Sequence, residues 1–335
     1  MSHSNISIFI PHVGCKFRCS FCNQVFITGE QGLPTEQDID NAVNSALNSK
    51  RYDKTEGQIA FFGGSFTAID KDLMIKYLKI GYKNILNGNA ESIRISTRPD
   101  AINSEILDIL KQYGVKSIEL GAQSMCDDVL AANNRGHTAK DVINACRLIK
   151  NNGFELGLQM MTGLYKSSFD KDLFTVKEII KLKPDTVRIY PTVVLKNTML
   201  EKYFLNGDYV PLSVENAAKQ GAEILKLFYS ENIKVIRFGL HSIENESFVA
   251  GAFHPALSEI AESYIYRDLF EKSFLKIGFY TVFVKDTELS KAKGHKKSNI
   301  EYFKSKNIIL DILPDKSLNK YEFTIKERTG RQNAT

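Results

Sequence analysis

"IFIPHVGCKFRCSFCNQ", residues 8–24, runs from a short β-branched strand through Pro11 into Cys15, Cys19 and Cys22, spaced C-x3-C-x2-C. The whole chain holds five cysteines in 335 residues, so three within eight positions form a local cluster. Three thiols on one short loop admit three readings: structural zinc, an iron–sulfur cluster, or chance. Structural zinc takes four ligands, commonly in two C-x2-4-C or similar pairs, and the local candidates for a fourth are His3 and His12. Iron–sulfur clusters are held by thiolates, and a four-iron cluster with three protein thiolates keeps one iron open for chemistry. An odd cysteine count with three clustered thiols is also unlike a disulfide framework, and a reducing, cytoplasmic setting is expected.

Outward from this loop, strand-like runs recur at 6–10, 58–62, 92–96, 117–121, 154–158, 186–190 and 233–238. Helical periodicity fills the gaps at 35–50, 71–86, 103–113, 139–152, 170–182 and 212–231. In the first of these Thr35 is a candidate cap, and Ile39, Ala42, Val43, Ala46 and Leu47 share a face. Strand alternating with helix implies parallel strands with helical crossovers. Gly, Ser, Arg, Gln and Pro follow the strands in "PHVGC", "GGSFT", "STRPD", "GAQS", "QMMTGL" and "YPT". Six decorated strand ends in succession indicate a site at the C-terminal mouth of a partial (β/α) TIM-type barrel. After about residue 240 the alternation stops. A long helix is expected over 254–274, and the reading divides the chain into a barrel, 1–275, and a small α+β basic extension, 276–335.

The bulk numbers agree with a large core: 43% of residues are hydrophobic, and no apolar run approaches a membrane span of about 20 residues. The net charge is +5. Between Lys285 and Lys306 seven lysines face Asp286, Glu288 and Glu301, so nearly all of the excess lies there. Such a stretch is either a solvated surface or the footprint of a nucleic-acid partner.

The cysteine loop, with Phe21 just before its last cysteine, closely resembles the signature of the radical S-adenosylmethionine (SAM) superfamily. The resemblance implies a [4Fe-4S] cluster on Cys15, Cys19 and Cys22, with SAM cleaved reductively to a 5′-deoxyadenosyl radical. It also implies an electron donor such as flavodoxin or ferredoxin. "AFFGGSFT" (60–67) resembles the superfamily's glycine motif, making Gly63, Gly64 and Ser65 candidate SAM contacts. "RISTRPDAI" (94–102), "ELGAQSM" (119–125) and "NNRGHT" (133–138) add Ser96, Arg98, Gln123 and Arg135, with Arg135 the best carboxylate partner. Tyr190 is a candidate substrate contact or hydrogen-atom shuttle. His137 and Met160 read as structural, Cys146 as core, and Cys126 as a neighbour of the mouth.

Together with "RIYPTVVLKNTMLEKYFLNGDYVPLS" (188–213), these motifs resemble the radical-SAM half of the Elongator catalytic-subunit family over roughly residues 5 to 275. That family acts on the wobble uridine of tRNA, so tRNA is the expected substrate, with no DNA or membrane partner. About 60 residues follow the barrel, too few for the family's acetyltransferase fold. The compact cysteine spacing is also like that of oxygen-independent coproporphyrinogen oxidases, which keeps a small-molecule substrate as the alternative. A non-catalytic iron–sulfur RNA-binding protein is the third reading. In the extension, Gly294, Lys297 and Ile300 fall at the spacing of a KH-type loop, which clamps a nucleic-acid backbone. Lys293, His295, Lys296 and Lys297 are therefore the candidate RNA contacts.

Overall fold

The alternation is realised as a seven-stranded parallel sheet in the computed structural model, which describes residues 5–11, 18–23, 32–240, 246–273 and 276–328. The strands are β1 (Asn5–Ile10), β2 (Gln58–Gly63), β3 (Ser92–Thr97), β4 (Val115–Gln123), β5 (Glu155–Thr162), β6 (Thr186–Pro191) and β8 (Lys234–Phe238), in the order β1-β2-β3-β4-β5-β6-β8. A short antiparallel pair, β7 (Val193–Leu195) and β9 (Phe248–Gly251), lies between and beyond the last two. The helices are α1 (Glu36–Leu47), α2 (Lys71–Leu86), α3 (Ser104–Gln112), α4 (Asp127–Ala132), α5 (Ala139–Asn151), α6 (Phe169–Leu182), α7 (Met199–Leu205), α8 (Val214–Ser230) and α9 (Leu257–Glu271). Thr35 does cap α1, in a capping box with Asp38.

One face of the sheet is apolar. Ile59, Phe61, Ile93, Ile95, Ile118, Leu120, Leu158, Met160, Val187 and Ile189 are buried in one cluster with residues of the flanking helices. The alternate positions carry Gln58, Arg94, Glu119, Gln159, Arg188 and Tyr190, because successive side chains of a strand point to opposite faces. The sheet curls around this polar face into a half-barrel. The curl is visible in one contact: the Arg188 guanidinium of β6 lies 5.5 Å from the Phe62 ring of β2. Four strand spacings separate these two strands, about 19 Å on a flat sheet.

The C-terminal segment continues as β10 (Gly278–Val284), α10 (Leu289–Lys293), α11 (Ser298–Ser305), β11 (Ile308–Pro314) and β12 (Phe323–Glu327). Its sheet runs β11-β10-β12, with β11 parallel and β12 antiparallel to β10. Helix α9 serves both units. Leu257, Ala261 and Ile265 join the barrel core, while Tyr266 and Phe270 pack with Val282, Phe303 and Ile312 in a second core. Helix α9 thus joins the packing of the barrel and the C-terminal segment. Among the described residues no helix is long and apolar enough to cross a membrane.

Candidate functional site

Cys19 and Cys22 are half-buried, and the Cys22 N–H donates to the Cys19 carbonyl at 3.1 Å, closing a tight turn. Cys15 lies outside the described residues, among which no three His, Cys, Asp or Glu side chains come together as a metal site. The loop is fixed from two sides. Ser20 donates to Asn133 through both its N–H (3.1 Å) and its hydroxyl (2.6 Å). On the other side, Leu200 N–H donates to the Ser20 carbonyl at 2.8 Å, and Asn23 Nδ2 to the Lys196 carbonyl at 3.2 Å. Phe21 packs against the buried cluster of Val194, Leu200 and Tyr209.

The segment 133–137 is the main anchor. Asn134 and Gly136 take positive φ (53° and 67°) and are exposed, while Asn133, Arg135 and His137 are buried. Arg135 Nη1 donates to Cys19 Sγ at 3.2 Å, and its Nη2 donates to the Gly121 carbonyl at 2.7 Å. His137 Nε2 meets the Ala122 carbonyl at 3.2 Å. Burial first, and then the Arg135 charge, lower the His137 pKa from 6.5 to about 4, so the ring is neutral at physiological pH. Gln123, with φ 64°, sits at an irregularity where β4 gains a residue against β5. Its Oε1 and the Arg135 Nε are buried with no protein partner.

At the end of β2, Gly63 has φ 109°, and a Cβ there would lie 2.4 Å from the Phe9 ring and 2.5 Å from the Ile10 carbonyl. A side chain is excluded on both counts. Gly64 N–H donates to the Ile10 carbonyl at 2.8 Å, pinning the glycine turn to the strand that leads into the cysteine loop. Ser65 is buried: its hydroxyl lies 2.9 Å from Thr97 Oγ1 and accepts the Arg98 N–H at 3.1 Å. The Arg98 guanidinium forks onto Asp100 through two 2.8 Å bonds. Both residues thus brace the mouth. Ser96 accepts from Gln159 Nε2 at 3.3 Å inside the barrel.

The interior network contains residues that the motif reading passes over. Buried Glu119 accepts from Arg94 (3.0 Å), Gln159 (2.8 Å) and both Nε (2.9 Å) and Nη2 (3.2 Å) of Arg188. Gly157 of β5 makes this reach possible, since a Cβ there would lie 2.7 Å from Glu119 Cγ. Arg94 also donates to Gln58 at 2.7 Å and lies 3.6 Å from Glu155. Tyr190, two residues further along β6, stands beside the Arg188 guanidinium, and burial raises its pKa. The signal was present in sequence: "SIRIS", "SIELG" and "TVRIY" each place one charged residue at the alternate, non-core position of an apolar strand.

Of the remaining cysteines, Cys146 is buried in the core, and burial pushes its thiol up to about 12. Cys126 sits at the start of α4 with its Sγ 3.8 Å from the Lys171 carbonyl.

The loop 293–297 joins α10 to α11. Gly294 has φ 80°, and Lys296 and Lys297 both adopt left-handed conformations (φ 52° and 63°). Two consecutive non-glycine residues in this region cost of order 1–3 kcal/mol each. The surroundings hold them there. Buried Asn299 donates to the Ser263 and Ala292 carbonyls at 2.9 and 3.1 Å and accepts from Arg267 at 3.0 Å. His295 lies 3.6 Å from Glu259, and its ring stands edge-on to His254 at 5.2 Å. His254 follows β9 by three residues, and β9 pairs with the strand that leaves β6 at the mouth, so the loop is seated beside the rim. Lys296 and Lys297 are exposed, Lys293 is half-buried, and none of the three forms an ion pair among the described residues.

Comparison with known proteins agrees with this geometry. Over 180 residues the chain is 30% identical to the tRNA uridine(34) acetyltransferase of Methanocaldococcus jannaschii, covering 48% of the chain and 33% of that protein. Over 138 residues it is 33% identical to Elongator complex protein 3 of Homo sapiens, covering 40% and 25%. The corresponding tRNA uridine(34) acetyltransferase of Dehalococcoides mccartyi is 28% identical over 241 residues, 62% and 52%. The chain thus spans a quarter to a half of these relatives, consistent with the radical-SAM half of the Elongator family. The solved archaeal Methanocaldococcus infernus Elp3 has the same fold, with TM-score 0.61 and 21% identity over 82% of this chain and 64% of that one. A Radical_SAM C-terminal domain matches residues 184–267. The Radical SAM superfamily itself matches residues 9–179, half of the chain, and the chain belongs to that superfamily, whose members use a [4Fe-4S] cluster and S-adenosylmethionine.

Proposed function

We propose that this chain is a radical SAM enzyme that modifies a base of an RNA, in the first instance a tRNA, with the base entering the polar lumen while the loop 293–297 holds the backbone. The observation that carries the RNA reading is the seating of Lys293, Lys296 and Lys297 beside the barrel rim, without acidic partners among the described residues. Cationic side chains in this setting take phosphate, and the bonding of Asn299 and His295 pre-forms the loop.

The residues fit the two cofactors. Cys19 and Cys22 present thiols on a turn braced by Ser20, and Arg135 sets a cationic donor against the Cys19 sulfur. Gly63 takes a positive φ that turns the backbone at the end of β2, and Gln123 Oε1 and Arg135 Nε are buried polar atoms in want of partners. Cys15, Cys19 and Cys22 would hold the cluster, with Phe21 packed behind it. Gly63, Gly64 and Gln123 would face SAM. Ser65 and Arg98 would act by bracing Thr97 and Asp100, and Ser96 would lie at the upper edge of the interior network. When bound, the two cofactors together supply one-electron reductive cleavage of SAM, with flavodoxin or ferredoxin as the class of donor. The chain's own contribution is enclosure: the Arg188–Phe62 contact closes the lumen below, and Tyr190 borders the space above it.

The test is anaerobic. The cluster is reconstituted and reduced, and 5′-deoxyadenosine is quantified with and without bulk tRNA, with Cys19→Ala as the control. Cleavage stimulated by tRNA and lost in Cys19→Ala is expected. Cleavage indifferent to tRNA would overturn the RNA substrate and favour a small molecule. No cleavage by protein of verified iron content would leave a non-catalytic iron–sulfur protein.

A further inference from the structure

Three guanidinium groups lie along the β3–β8 side of the lumen, and two are balanced. Arg94 and Arg188 share Glu119, and Arg94 also approaches Glu155. The third, Arg237, is the register partner of Arg188 on β8. It is half-buried, and its Nε and Nη2 donate only to the carbonyls of Gly239 (2.9 Å) and Leu240 (2.7 Å). No carboxylate among the described residues pairs with it. Its charge is felt by Tyr190 and Arg188, whose guanidinium repels it.

Tyr190 completes the arrangement. It stands two residues along β6 from Arg188, beside that guanidinium, and no hydrogen bond from its hydroxyl to a described residue is formed. The Arg237 Nη1 is likewise without an acceptor among the described residues. Tyr190, two residues along β6 from Arg188, and Arg237, the register partner of Arg188 on β8, thus place two donors on neighbouring strands beside an unbalanced, partly desolvated positive charge, with Arg188 packed on Phe62. A neutral acceptor would satisfy the hydrogen bonds but leave the charge uncompensated. An oxyanion satisfies both.

We propose that Arg237 and Tyr190 form a subsite for an oxyanion of the substrate, a carboxylate or a phosphate, at the β6–β8 side of the lumen. This rests on the reading of the lumen as the substrate chamber. The subsite would fix which face and which atom of the substrate points up toward the cysteine loop, making both residues determinants of specificity.

The test reads Arg237 directly. The reconstituted chain is labelled with phenylglyoxal under anaerobic conditions, and modification of Arg237 is followed by mass spectrometry, with exposed Arg147 as the internal control. Malonate, inorganic phosphate and SAM are added separately. At about ten times its dissociation constant, a bound oxyanion should slow Arg237 labelling roughly ten-fold and leave Arg147 unchanged. Malonate protection assigns a carboxylate, and phosphate protection a phosphate. In Tyr190→Phe the protecting concentration should rise about ten-fold, the loss of one charge-assisted hydrogen bond. No protection by malonate or phosphate, or equal slowing of Arg147, would overturn the subsite. Protection by SAM alone would also overturn it, by giving the guanidinium to the cofactor. Because the readout needs no turnover, the subsite can fail while the SAM-cleavage assay succeeds, and the reverse.

Discussion

Arg135 Nη1 lies 3.2 Å from Cys19 Sγ, while the same guanidinium donates through Nη2 to the Gly121 carbonyl of β4. One side chain therefore ties a cysteine of the loop to the sheet. Arg135→Gln should lower iron retention or the rate of SAM cleavage by about 10–100-fold, as expected when the partner of a ligand is removed. Arg135→Lys should keep part of the effect. Electron paramagnetic resonance of the reduced cluster separates this role from a merely structural one: the variant's signal should shift even in protein that retains full iron.

Glu119 is the single carboxylate between Arg94 and Arg188 and is buried. Glu119→Ala leaves two guanidinium groups facing each other in the lumen and should cost about 3–5 kcal/mol in urea unfolding. Glu119→Gln should cost less, since an amide oxygen still accepts. A cost below about 1 kcal/mol in Glu119→Ala would show that water replaces the carboxylate.

Asp172 is buried at the start of α6, where it accepts from Gly163 N–H (2.9 Å) and Ser167 Oγ (2.7 Å), and burial raises its pKa to about 6. A carboxyl whose folded pKa is raised contributes stability present below about pH 4 and lost as pH rises through about 6. His137 works in the opposite sense: its folded pKa of about 4 contributes stability present above about pH 6.5 and lost as pH falls toward 4. The two groups therefore oppose each other between pH 4 and 6. The stability of Asp172→Asn relative to wild type should rise by about 2 kcal/mol across that window. Urea unfolding at pH 4, 5 and 6 checks it, and a constant difference would refute the assignment.

Replacing Lys293, Lys296 and Lys297 together by Ala should weaken tRNA binding and reduce the slope of log K against log salt by about 0.7–0.9 for each phosphate that is no longer neutralised. Gly294→Ala should act on the same loop by shape alone, because its Cβ would lie 2.5 Å from Ser298 Oγ and 2.7 Å from the Asn299 nitrogen. Filter binding at several salt concentrations distinguishes the two: the lysine variant lowers the slope, and the glycine variant lowers affinity.

The sequence pattern locates every strand of the main sheet to within a few residues, because apolar, β-branched runs bounded by Gly, Pro and Asn encode it locally. It also names both Cys19 and Arg135, which the structure brings together at 3.2 Å. It misses Asn133 and Glu119. Asn133 braces the cysteine loop through Ser20, 113 residues away, and no local pattern records that pairing. Glu119 matters because Gly157 on the next strand leaves it room, a relation that exists only once β4 and β5 are in register. Ser65 and Arg98 illustrate the converse. Their motif neighbourhood suggests ligand contact, yet Thr97 and Asp100 lie close enough to satisfy them. The short helices α4 and α7 escape notice because two turns carry too little periodicity to stand out.

The main sheet ends in two strands, β1 and β8, that are not paired to each other among the described residues. A closed barrel admits a substrate only along its axis, so anything carried on a polymer must be threaded or end at the entrance. An open one has a lateral seam. A group attached to a long chain can be inserted sideways while the chain stays outside, and Arg237 stands on the strand that borders this seam. On the proposed function, the unclosed sheet would let a base enter the lumen sideways while the rest of the RNA stays outside.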